Sequence, residues 1–534
     1  MEHTPNLWHL IEARMESAPE STAFFEGGRT VTVAQFHARC CQTLAWLHAQ
    51  GVKPGDRVAV WLVNRTEWLA MLFALARLGA TLVSINTRYR SEEVSHILRK
   101  SAARLMVCQP GFRKLNFAEI LSGIAPETLP ALKGVIVLDA DENTPPALLG
   151  KPVYHFPASA ANAAAPGPDL SNPDVVTILF TTSGTTKGPK LVMHPQRTLV
   201  EHARRCARGY GLDQPDSVML AMLPFCGVFG LNGALAAFAG GAPVVLMDAF
   251  DGERAARLAQ DHRVTHTFGS DEMYQRMADA VSGAHPFPSA RLFGFGAFTS
   301  SFDAYALQAW SRGIPLVGLY GSSEVLALFS AQPFTLPVEA RIQGGGRPIA
   351  GVEATVRVRD TASGELLLPG QSGELEILAP GNFIGYFEDA EATAGATTPD
   401  GYFRTGDLGH LRGDGTFVYE TRMGDVIRLG GFLVNPVEIE AVLKRFEGVA
   451  DAQVVAIELD GRMRVVAFVI PQAGVTLSEP DLMSRMAEQT APFKIPARIW
   501  FVSEYPVTLS SNGVKTQRNK LREMAMRLIE QAKP

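Results

Sequence analysis

Hydroxyl-bearing and glycine residues are concentrated in one short segment, 181–190, with the sequence TTSGTTKGPK. This segment follows the apolar run 175–180, which predicts a buried strand. Glycines let the backbone approach an anion closely, and the amide and hydroxyl groups of such a loop can bind phosphate oxygens. The spacing differs from that of a Walker loop, because Leu191 stands where a magnesium-binding hydroxyl is needed. We therefore predict a triphosphate-binding loop, with a polar surface turn as the alternative.

A carboxylate stands at the exit of another apolar run, in the segment 320–324 with the sequence YGSSE. Ligands of open α/β sheets bind at the carboxyl ends of the strands, and the run 315–319 places Glu324 just beyond such an end. Mg²⁺ typically takes one or two carboxylates from a protein and completes its shell with phosphate oxygens and water. Glu324 is therefore a candidate magnesium ligand, with a structural turn as the alternative.

Three later segments add polar groups suited to a nucleotide. In 402–408 (YFRTGDL), Asp407 lies beside a glycine and can accept hydrogen bonds from both ribose hydroxyls. In 421–440, Arg422 can pair with nucleotide charge. Lys515 lies on a glycine-flanked loop near the end of the chain, where an exposed surface lysine is the ordinary interpretation.

Composition limits the class of protein. A chain of 534 residues exceeds what one hydrophobic core usually supports, so two or more domains are expected. The formal net charge of −5 argues against general nucleic-acid binding and favours small-molecule partners. The odd number of cysteines and their spacing argue against disulfides and metal binding, and with the absence of a secretory signal they predict a cytoplasmic protein. The cysteines are Cys40, Cys41, Cys108, Cys206 and Cys226.

Two stretches share a pattern of helix, glycine and buried strand. In 231–250, glycines, Pro243 and Asp248 interrupt the apolar residues, so we expect a helix over 231–239 and a strand over 243–247 rather than a membrane span. The stretch 68–85 repeats the pattern, with Gly79 as the stop. The repetition predicts two similar α/β layers.

The composition and residue patterns of the rest of the chain predict a linker and two smaller structural regions. Residues 158–173 have the composition of a linker, and the alternating runs of 341–419 indicate a small β-rich region. A helix with a capping signal is expected to begin at 435, and its apolar stripe consists of Ile439, Val442, Leu443 and Phe446. Strands are expected over 452–459 and 465–470, so this part of the chain indicates a compact α+β domain.

Taken together, these segments resemble the acyl-adenylate-forming superfamily, which includes acyl-CoA synthetases, peptide-synthetase adenylation domains and beetle luciferases. The resemblance spans nearly the whole chain, with five motifs in the family's order. It implies an α/β fold, in which a large N-terminal domain (1–421) contains two layered α/β subdomains and a small β-rich one. A small, mobile C-terminal α+β domain (422–534) would carry the catalytic lysine.

The resemblance also implies residue roles. Glu324 would bind Mg²⁺, Asp407 the ribose, and Lys515 would bridge the carboxylate and the α-phosphate as the catalytic cation. The ATP- and AMP-binding residues would be Thr181, Thr182, Ser183, Gly184, Thr185, Thr186, Lys190, Gly296, Ala297, Tyr320, Gly321, Ser323, Asp407 and Arg422. The acyl pocket would be lined by Phe225, Cys226, Gly227, Phe229 and Phe298, and the thiol tunnel by Gly430 and Gly431.

The chain departs from the family pattern at several positions. Gly424 stands at the hinge, where the family usually has aspartate or lysine, and glycine rotates more freely there. Cys226 and Gly227 stand where a histidine or aromatic gate is common, so a gate would have to come from Phe225 or Phe229. Val514 replaces the glycine that usually precedes the catalytic lysine.

These features predict an ATP- and Mg²⁺-dependent acyl-CoA synthetase with CoA as co-substrate. Segments 225–231, 294–298 and 320–326 would form the acid pocket, and they contain no arginine or lysine for a second carboxylate. A monocarboxylic fatty or aryl acid is therefore expected. The alternatives are a ligase that loads a carrier-protein thiol and a non-catalytic adenylate binder, with luciferase-like oxidation less favoured. The oligomeric state is left open, with a homodimer as one option.

Overall fold

A computed structural model describes residues 6–113, 115–157, 167–182, 189–296, 302–423, 427–429, 432–434, 436–459, 462–490, 494–510 and 513–531. Its α-helices are α1 (Leu7–Ser17), α2 (Val33–Ala49), α3 (Thr66–Arg77), α4 (Ser91–Ser101), α5 (Phe117–Ser122), α6 (Gln196–Tyr210), α7 (Val228–Gly240), α8 (Gly252–Asp261), α9 (Asp271–Asp279), α10 (Phe302–Ser311), α11 (Val338–Arg341), α12 (Ala390–Ala396), α13 (Pro436–Lys444), α14 (Glu479–Ala487) and α15 (Arg518–Gln531).

The strands of the first half are β1 (Thr22–Glu26), β2 (Arg29–Thr32), β3 (Arg57–Trp61), β4 (Thr81–Ser84), β5 (Leu105–Cys108), β6 (Gly111–Phe112), β7 (Leu115–Asn116), β8 (Gly134–Val137), β9 (Ala147–Leu148), β10 (Lys151–His155), β11 (Val176–Thr181), β12 (Leu191–Pro195), β13 (Met219–Ala221), β14 (Val244–Leu246) and β15 (His266–Ser270). Those of the second half are β16 (Leu292–Gly296), β17 (Leu316–Tyr320), β18 (Ser330–Ala331), β19 (Gly345–Pro348), β20 (Thr355–Arg359), β21 (Gly373–Leu378), β22 (Phe403–Leu411), β23 (Phe417–Arg422), β24 (Ile427–Leu429), β25 (Phe432–Val434), β26 (Val449–Leu459), β27 (Arg462–Pro471), β28 (Ile499–Phe501), β29 (Val507–Ser510) and β30 (Gly513–Thr516).

The first large sheet has the strand order β12-β11-β4-β3-β5-β8-β10-β9. Its interior strands are parallel, whereas β12 and β9 pair antiparallel at the edges. Strands β4, β5 and β8 are buried along their whole length. Parallel strands that are covered on both faces need such continuous apolar runs.

The second large sheet has the strand order β2-β1-β14-β13-β15-β16-β17-β18-β19-β23-β22-β21-β20. Strands β1 and β13 to β17 pair in parallel, and those from β18 onward pair antiparallel. The β-rich region expected over 341–419 is therefore present, and it continues this sheet in strand order rather than forming a sheet of its own. The expectation of two α/β layers is confirmed.

The helix, glycine and strand pattern occurs in both layers. After α3 and α7, Gly79 and Gly241 have φ of +66° and +88°, and the buried strands β4 and β14 follow. The expected helix start at Leu231 was wrong, because α7 begins at Val228. Gly230 lies inside that helix, where an added Cβ would come within 2.4 Å of the Pro224 carbonyl oxygen. Here glycine permits close packing rather than ending the helix.

The C-terminal region has its own apolar cores. Ile439, Leu443 and Phe446 of the expected stripe are buried, and Val442 packs against them. Strands β26 and β27 form a long antiparallel pair, to which β28 adds in parallel. The predicted α+β fold of this region is confirmed. The predicted capping residue Asn435 lies outside the described residues. Among the described residues, no helix combines the length and apolar character required to cross a bilayer.

Candidate active site

The two described ends of the phosphate-loop segment lie at the end of β11 and just before β12. Thr181 pairs with Leu191 across the two strands. The Thr182 amide donates to the Lys190 carbonyl oxygen at 3.0 Å, and the Lys190 amide donates to the Thr182 hydroxyl at 3.3 Å. These bonds fix the base of the loop. Ser183, Gly184, Thr185 and Thr186 lie outside the described residues.

The acidic turn begins where β17 ends. Gly321 follows the last strand residue, Tyr320, and a short 3₁₀ helix spans Ser323–Val325. The Phe383 amide donates to the Glu324 carbonyl oxygen at 2.7 Å, and the half-buried Glu324 carboxylate accepts a hydrogen bond from the Tyr386 hydroxyl at 2.9 Å. The bond from Tyr386 ends on Oε1, and no hydrogen bond from the described residues reaches Oε2, which leaves that oxygen for another ligand. The side chain therefore fits the predicted role of a magnesium ligand.

Tyr386 is a site residue that the sequence did not reveal. Its ring lies under the Lys190 ammonium, with 4.5 Å between Nζ and the ring centroid. Burial and the Glu324 charge raise the pKa of the Tyr386 hydroxyl, so it remains a donor at every physiological pH. No periodicity or spacing connects Tyr386 to Glu324, which lies 62 positions earlier. Only the fold brings them together.

Asp407 and Arg422 occupy opposite positions on β22 and β23. The Arg422 guanidinium donates to the Asp407 carboxylate at 2.6 Å and to the Thr405 carbonyl oxygen at 2.8 Å. Tyr320 donates its hydroxyl to the other Asp407 oxygen, also at 2.6 Å. A ribose would have to share this carboxylate with Arg422 and Tyr320.

Burial dominates the electrostatics of this group. It raises the pKa of the Asp407 carboxyl above its ordinary value, and Arg422 and Tyr320 oppose that rise. The Asp407 charge in turn raises the pKa of Arg422, whose side chain is 57% exposed. Because Arg422 stays charged and half of it faces solvent, it can also contact an anionic ligand.

Residues from β12 and α6 support the acidic turn from beneath. The buried His194 donates through Nε2 to the Ser323 carbonyl oxygen at 2.8 Å, and burial lowers its pKa to about 4. Three consecutive residues after the turn, Leu326 to Leu328, have φ of 62°, 48° and 42°. Such a run of left-handed non-glycine residues is strained and persists only where surrounding contacts hold it. Tyr210 supplies one, because its hydroxyl donates to the Leu328 carbonyl oxygen at 2.8 Å.

The expected acid-binding segment is fixed by the first sheet. Asn64 bonds both the Leu223 carbonyl oxygen and the Phe225 amide, at 2.8 and 2.6 Å. Ser84 donates to the Cys226 carbonyl oxygen at 2.7 Å. The sequence did not indicate either contact. They join the segment between β13 and α7 to residues at or just beyond the ends of β3 and β4 in the first large sheet.

The two phenylalanines considered for a gate differ in exposure. Phe225 is fully buried and packs edge-on against Trp68, so it belongs to the core in this arrangement. Phe229 retains 6% exposure. Cys226 is buried, and burial raises the pKa of its thiol to about 11, which agrees with an inert small side chain. Gly227 is the N-cap residue of α7.

Several candidate residues are only partly described. Gly296 ends β16, opposite Ser270. Lys515 lies on the hairpin of β29 and β30, where its backbone pairs with Thr508. The remaining candidates lie outside the described residues, namely Ala297, Phe298, Gly424, Gly430 and Gly431.

The structure thus brings together the base of the loop between β11 and β12, Glu324 just after β17, and the pair formed by Asp407 within β22 and Arg422 at the end of β23. The sequence profile described as AMP-binding enzyme matches residues 11–387, and that described as AMP-binding enzyme C-terminal domain matches 438–512. The chain belongs to the AMP-binding enzyme family.

Relatives in this family agree over nearly full length. A 3-[(3aS,4S,7aS)-7a-methyl-1,5-dioxo-octahydro-1H-inden-4-yl]propanoyl:CoA ligase of Rhodococcus jostii is 32% identical, covering 94% of this chain and 96% of the relative. A feruloyl-CoA synthase of Amycolatopsis is 30% identical, covering 95% and 97%. The ATP-bound MatB structure from Rhodopseudomonas palustris superposes with a TM-score of 0.81 over 97% of this chain and 99% of MatB, at 24% identity, which supports the fold.

Membership establishes the reaction class. This AMP-binding family member is an AMP-forming acid–thiol ligase, which activates a carboxylic acid with ATP and transfers the acyl group to CoA. Among the described residues, no group of three His, Cys, Asp or Glu side chains converges as a metal site. A single carboxylate that shares Mg²⁺ with the phosphates of ATP is compatible with this arrangement.

Proposed function

We propose that the acid is a monocarboxylate with an apolar fatty or aryl tail, and that Glu324, Asp407, Arg422 and Lys515 carry its activation. The observation that supports this most is the convergence of the Glu324 turn with the Asp407 and Arg422 pair beside the base of the phosphate loop. Opposed charges and hydroxyls at strand ends are suited to a magnesium nucleotide. The acid would attack the α-phosphate, with pyrophosphate as the leaving group.

Each group has a distinct part in this reaction. Thr181, Thr182 and Lys190, with the loop between them, would bind the triphosphate. Asp407 would accept the ribose hydroxyls while Arg422 stays beside it. Mg²⁺ held by Glu324 would neutralise phosphate charge, and Lys515 would stabilise the charge that develops between the carboxylate and the α-phosphate.

The second half-reaction needs a different environment at the same carbonyl. We propose that the part of the C-terminal domain that follows Gly424 turns about this residue after adenylation, which removes Lys515 and opens a thiol path beside Gly430 and Gly431. The CoA thiolate would attack the acyl carbonyl carbon, and AMP would leave with the electron pair of the broken C–O bond. The domain boundary after 421 belongs to the same proposal.

The tail preference rests on the side chains near the acid site. The segments 225–231, 294–296 and 320–326 contribute apolar residues and glycines, and Glu324 is their one charged residue. A second substrate carboxylate would have no cation there. By their names, both relatives described above act on acids that carry a ring. Aryl and cyclic acids are therefore the first substrates to test.

Pyrophosphate release tests this function across a panel of C2 to C16, aryl and cyclic acids, with and without CoA. We expect release that depends on the acid and on Mg²⁺, and thioester formation when CoA is present. Activity only with dicarboxylates would contradict the apolar tail. Thioester formed only on a carrier protein would support the carrier-protein alternative, and ATP binding without pyrophosphate release would support a binder. Cytoplasmic location and homodimer formation stay predictions of the sequence.

A further inference from the structure

Tyr386 contacts two groups of opposite charge at different points of one phenol. Its ring face carries the Lys190 ammonium at 4.5 Å, while its hydroxyl donates to Glu324 Oε1 at 2.9 Å. The ring is fixed in turn, because Tyr386 is only 6% exposed and packs edge-on against Phe383 with a centroid distance of 4.9 Å. The ring is therefore held in place, with the phosphate-loop lysine on its face and the acidic turn at its hydroxyl.

A direct ion pair between Lys190 and Glu324 is the obvious competing arrangement. Lysine is a flexible point charge, and a carboxylate within its reach attracts it strongly at a partly buried site. Among the described residues, no ion pair joins Lys190 to Glu324; the ammonium lies on the aromatic face instead. A cation–π contact satisfies the ammonium without occupying a carboxylate oxygen.

Such an ion pair would disable both partners. Mg²⁺ needs oxygen ligands, and an ammonium bound to Glu324 would compete with it for the same oxygens. Lys190 would also be drawn away from the phosphates. We propose that Tyr386 is a positioning residue that keeps Lys190 and Glu324 apart before MgATP binds, with its ring as the spacer and its hydroxyl as the anchor of one carboxylate oxygen. This inference rests on the proposed function, in which Glu324 binds Mg²⁺.

The test compares Tyr386→Leu, which removes spacer and hydroxyl, with Tyr386→Phe, which removes the hydroxyl alone. ATP affinity is measured by calorimetry in EDTA and over a Mg²⁺ series, and pyrophosphate release is titrated with Mg²⁺ in parallel. For Tyr386→Leu, half-saturation by Mg²⁺ should rise about tenfold, within the range of a charge-assisted hydrogen bond, and metal-free ATP affinity should fall. For Tyr386→Phe, the rise should be about threefold, since the spacer remains.

Lys190→Gln separates a spacer from a merely structural tyrosine. In the Tyr386→Leu background it should return the Mg²⁺ requirement toward the parental value, because the competing ammonium is gone. In the protein with Tyr386 present, Lys190→Gln should weaken ATP binding and leave the Mg²⁺ requirement unchanged, because Tyr386 already keeps the lysine from Glu324. This comparison tests the spacer even if Tyr386→Leu does not fold. The matched control is Tyr305→Phe, which should have parental Mg²⁺ dependence because the Tyr305 hydroxyl bonds backbone carbonyls of α9.

The outcomes distinguish failure of the positioning role of Tyr386 from failure of the proposed ligase function. Parental Mg²⁺ dependence in both Tyr386 variants, or no rescue by Lys190→Gln, would overturn the positioning role while leaving the ligase intact. If the unmodified protein neither releases pyrophosphate nor binds ATP more tightly with Mg²⁺, the proposed function itself fails. Thermal unfolding of each variant shows whether a loss reflects misfolding.

Discussion

Single residues at this site work through shared hydrogen bonds. Asp407 has both oxygens bonded, one to Arg422 and the other to Tyr320. Glu324 has one oxygen bonded to Tyr386. A carboxylate held in this way loses little conformational entropy when a ligand arrives, so each site is organised before nucleotide binds.

Asp407→Ala should weaken ATP binding about tenfold to a hundredfold, the range for removing a charged hydrogen-bonding partner. Calorimetric titration with ATP measures the change. Asp400→Ala is the matched control, because Asp400 also pairs with an arginine, Arg357, at 2.6 Å but lies on the exposed surface. Equal ATP affinity in the two variants would remove Asp407 from the nucleotide site.

Lys515→Ala should slow adenylation about a hundredfold to a thousandfold, as expected when one preorganised electrostatic contact is lost. Thioester formation from supplied acyl-AMP should change much less, because the lysine is expected to have moved away by then. Single-turnover assays of each half-reaction make the comparison, with the exposed Lys520→Ala as control. An equal loss in both half-reactions would make Lys515 structural.

Secondary-structure elements position these residues, and the sequence predicted them unevenly. The helix, glycine and strand units were predictable because a helix period, a glycine stop and an apolar run are local signals. Tyr386 beside Glu324 and the Asn64 contacts to 223–225 were not, because residues far apart in the chain meet there. The start of α7 was predicted three residues late, at Leu231, although the helix begins at Val228 and Gly230 packs closely against the Pro224 carbonyl oxygen.

A buried ion pair connects the C-terminal elements close to Lys515. Glu440 of α13 is fully buried, pairs with Arg518 at 2.8 Å and accepts the Val454 amide at the same distance. Arg518 begins α15, three residues after Lys515. Glu440→Gln should lower the free energy of unfolding by about 3 kcal/mol, since a buried guanidinium loses its counter-charge. Denaturant unfolding tests this against the exposed Glu447→Gln; equal stability would show that the pair contributes little.

At the scale of the whole molecule, buried histidines predict a loss of stability in acid. Burial lowers the pKa of His194 to about 4 and that of His202 to about 3. Unfolded histidine binds a proton near pH 6.5, whereas these remain neutral in the fold, so lowering the pH from about 6.5 to 4 favours the unfolded chain. The thermal midpoint should fall over this range, and less in His202→Leu than in the exposed His155→Leu. Parallel curves for the two variants would contradict this origin.

Domain rotation is the second whole-molecule prediction. Proline fixes φ near −65° and restricts the residue before it, so Gly424→Pro should hold the C-terminal domain in one orientation. One half-reaction should then survive while the other falls steeply. Gly424→Ala is the control and should cost little unless the position needs a positive φ. A folded proline variant that forms acyl-CoA at the parental rate would show that residue 424 is not the pivot.

The central claim is that this site forms an acyl-adenylate from an apolar monocarboxylate. Exchange of labelled pyrophosphate into ATP measures that step alone, without thiol or domain rotation. We expect exchange that requires both Mg²⁺ and a fatty, aryl or cyclic acid, and that falls at least about a hundredfold in Lys515→Ala. Folded protein that catalyses no acid-dependent exchange with any member of the panel would contradict the claim.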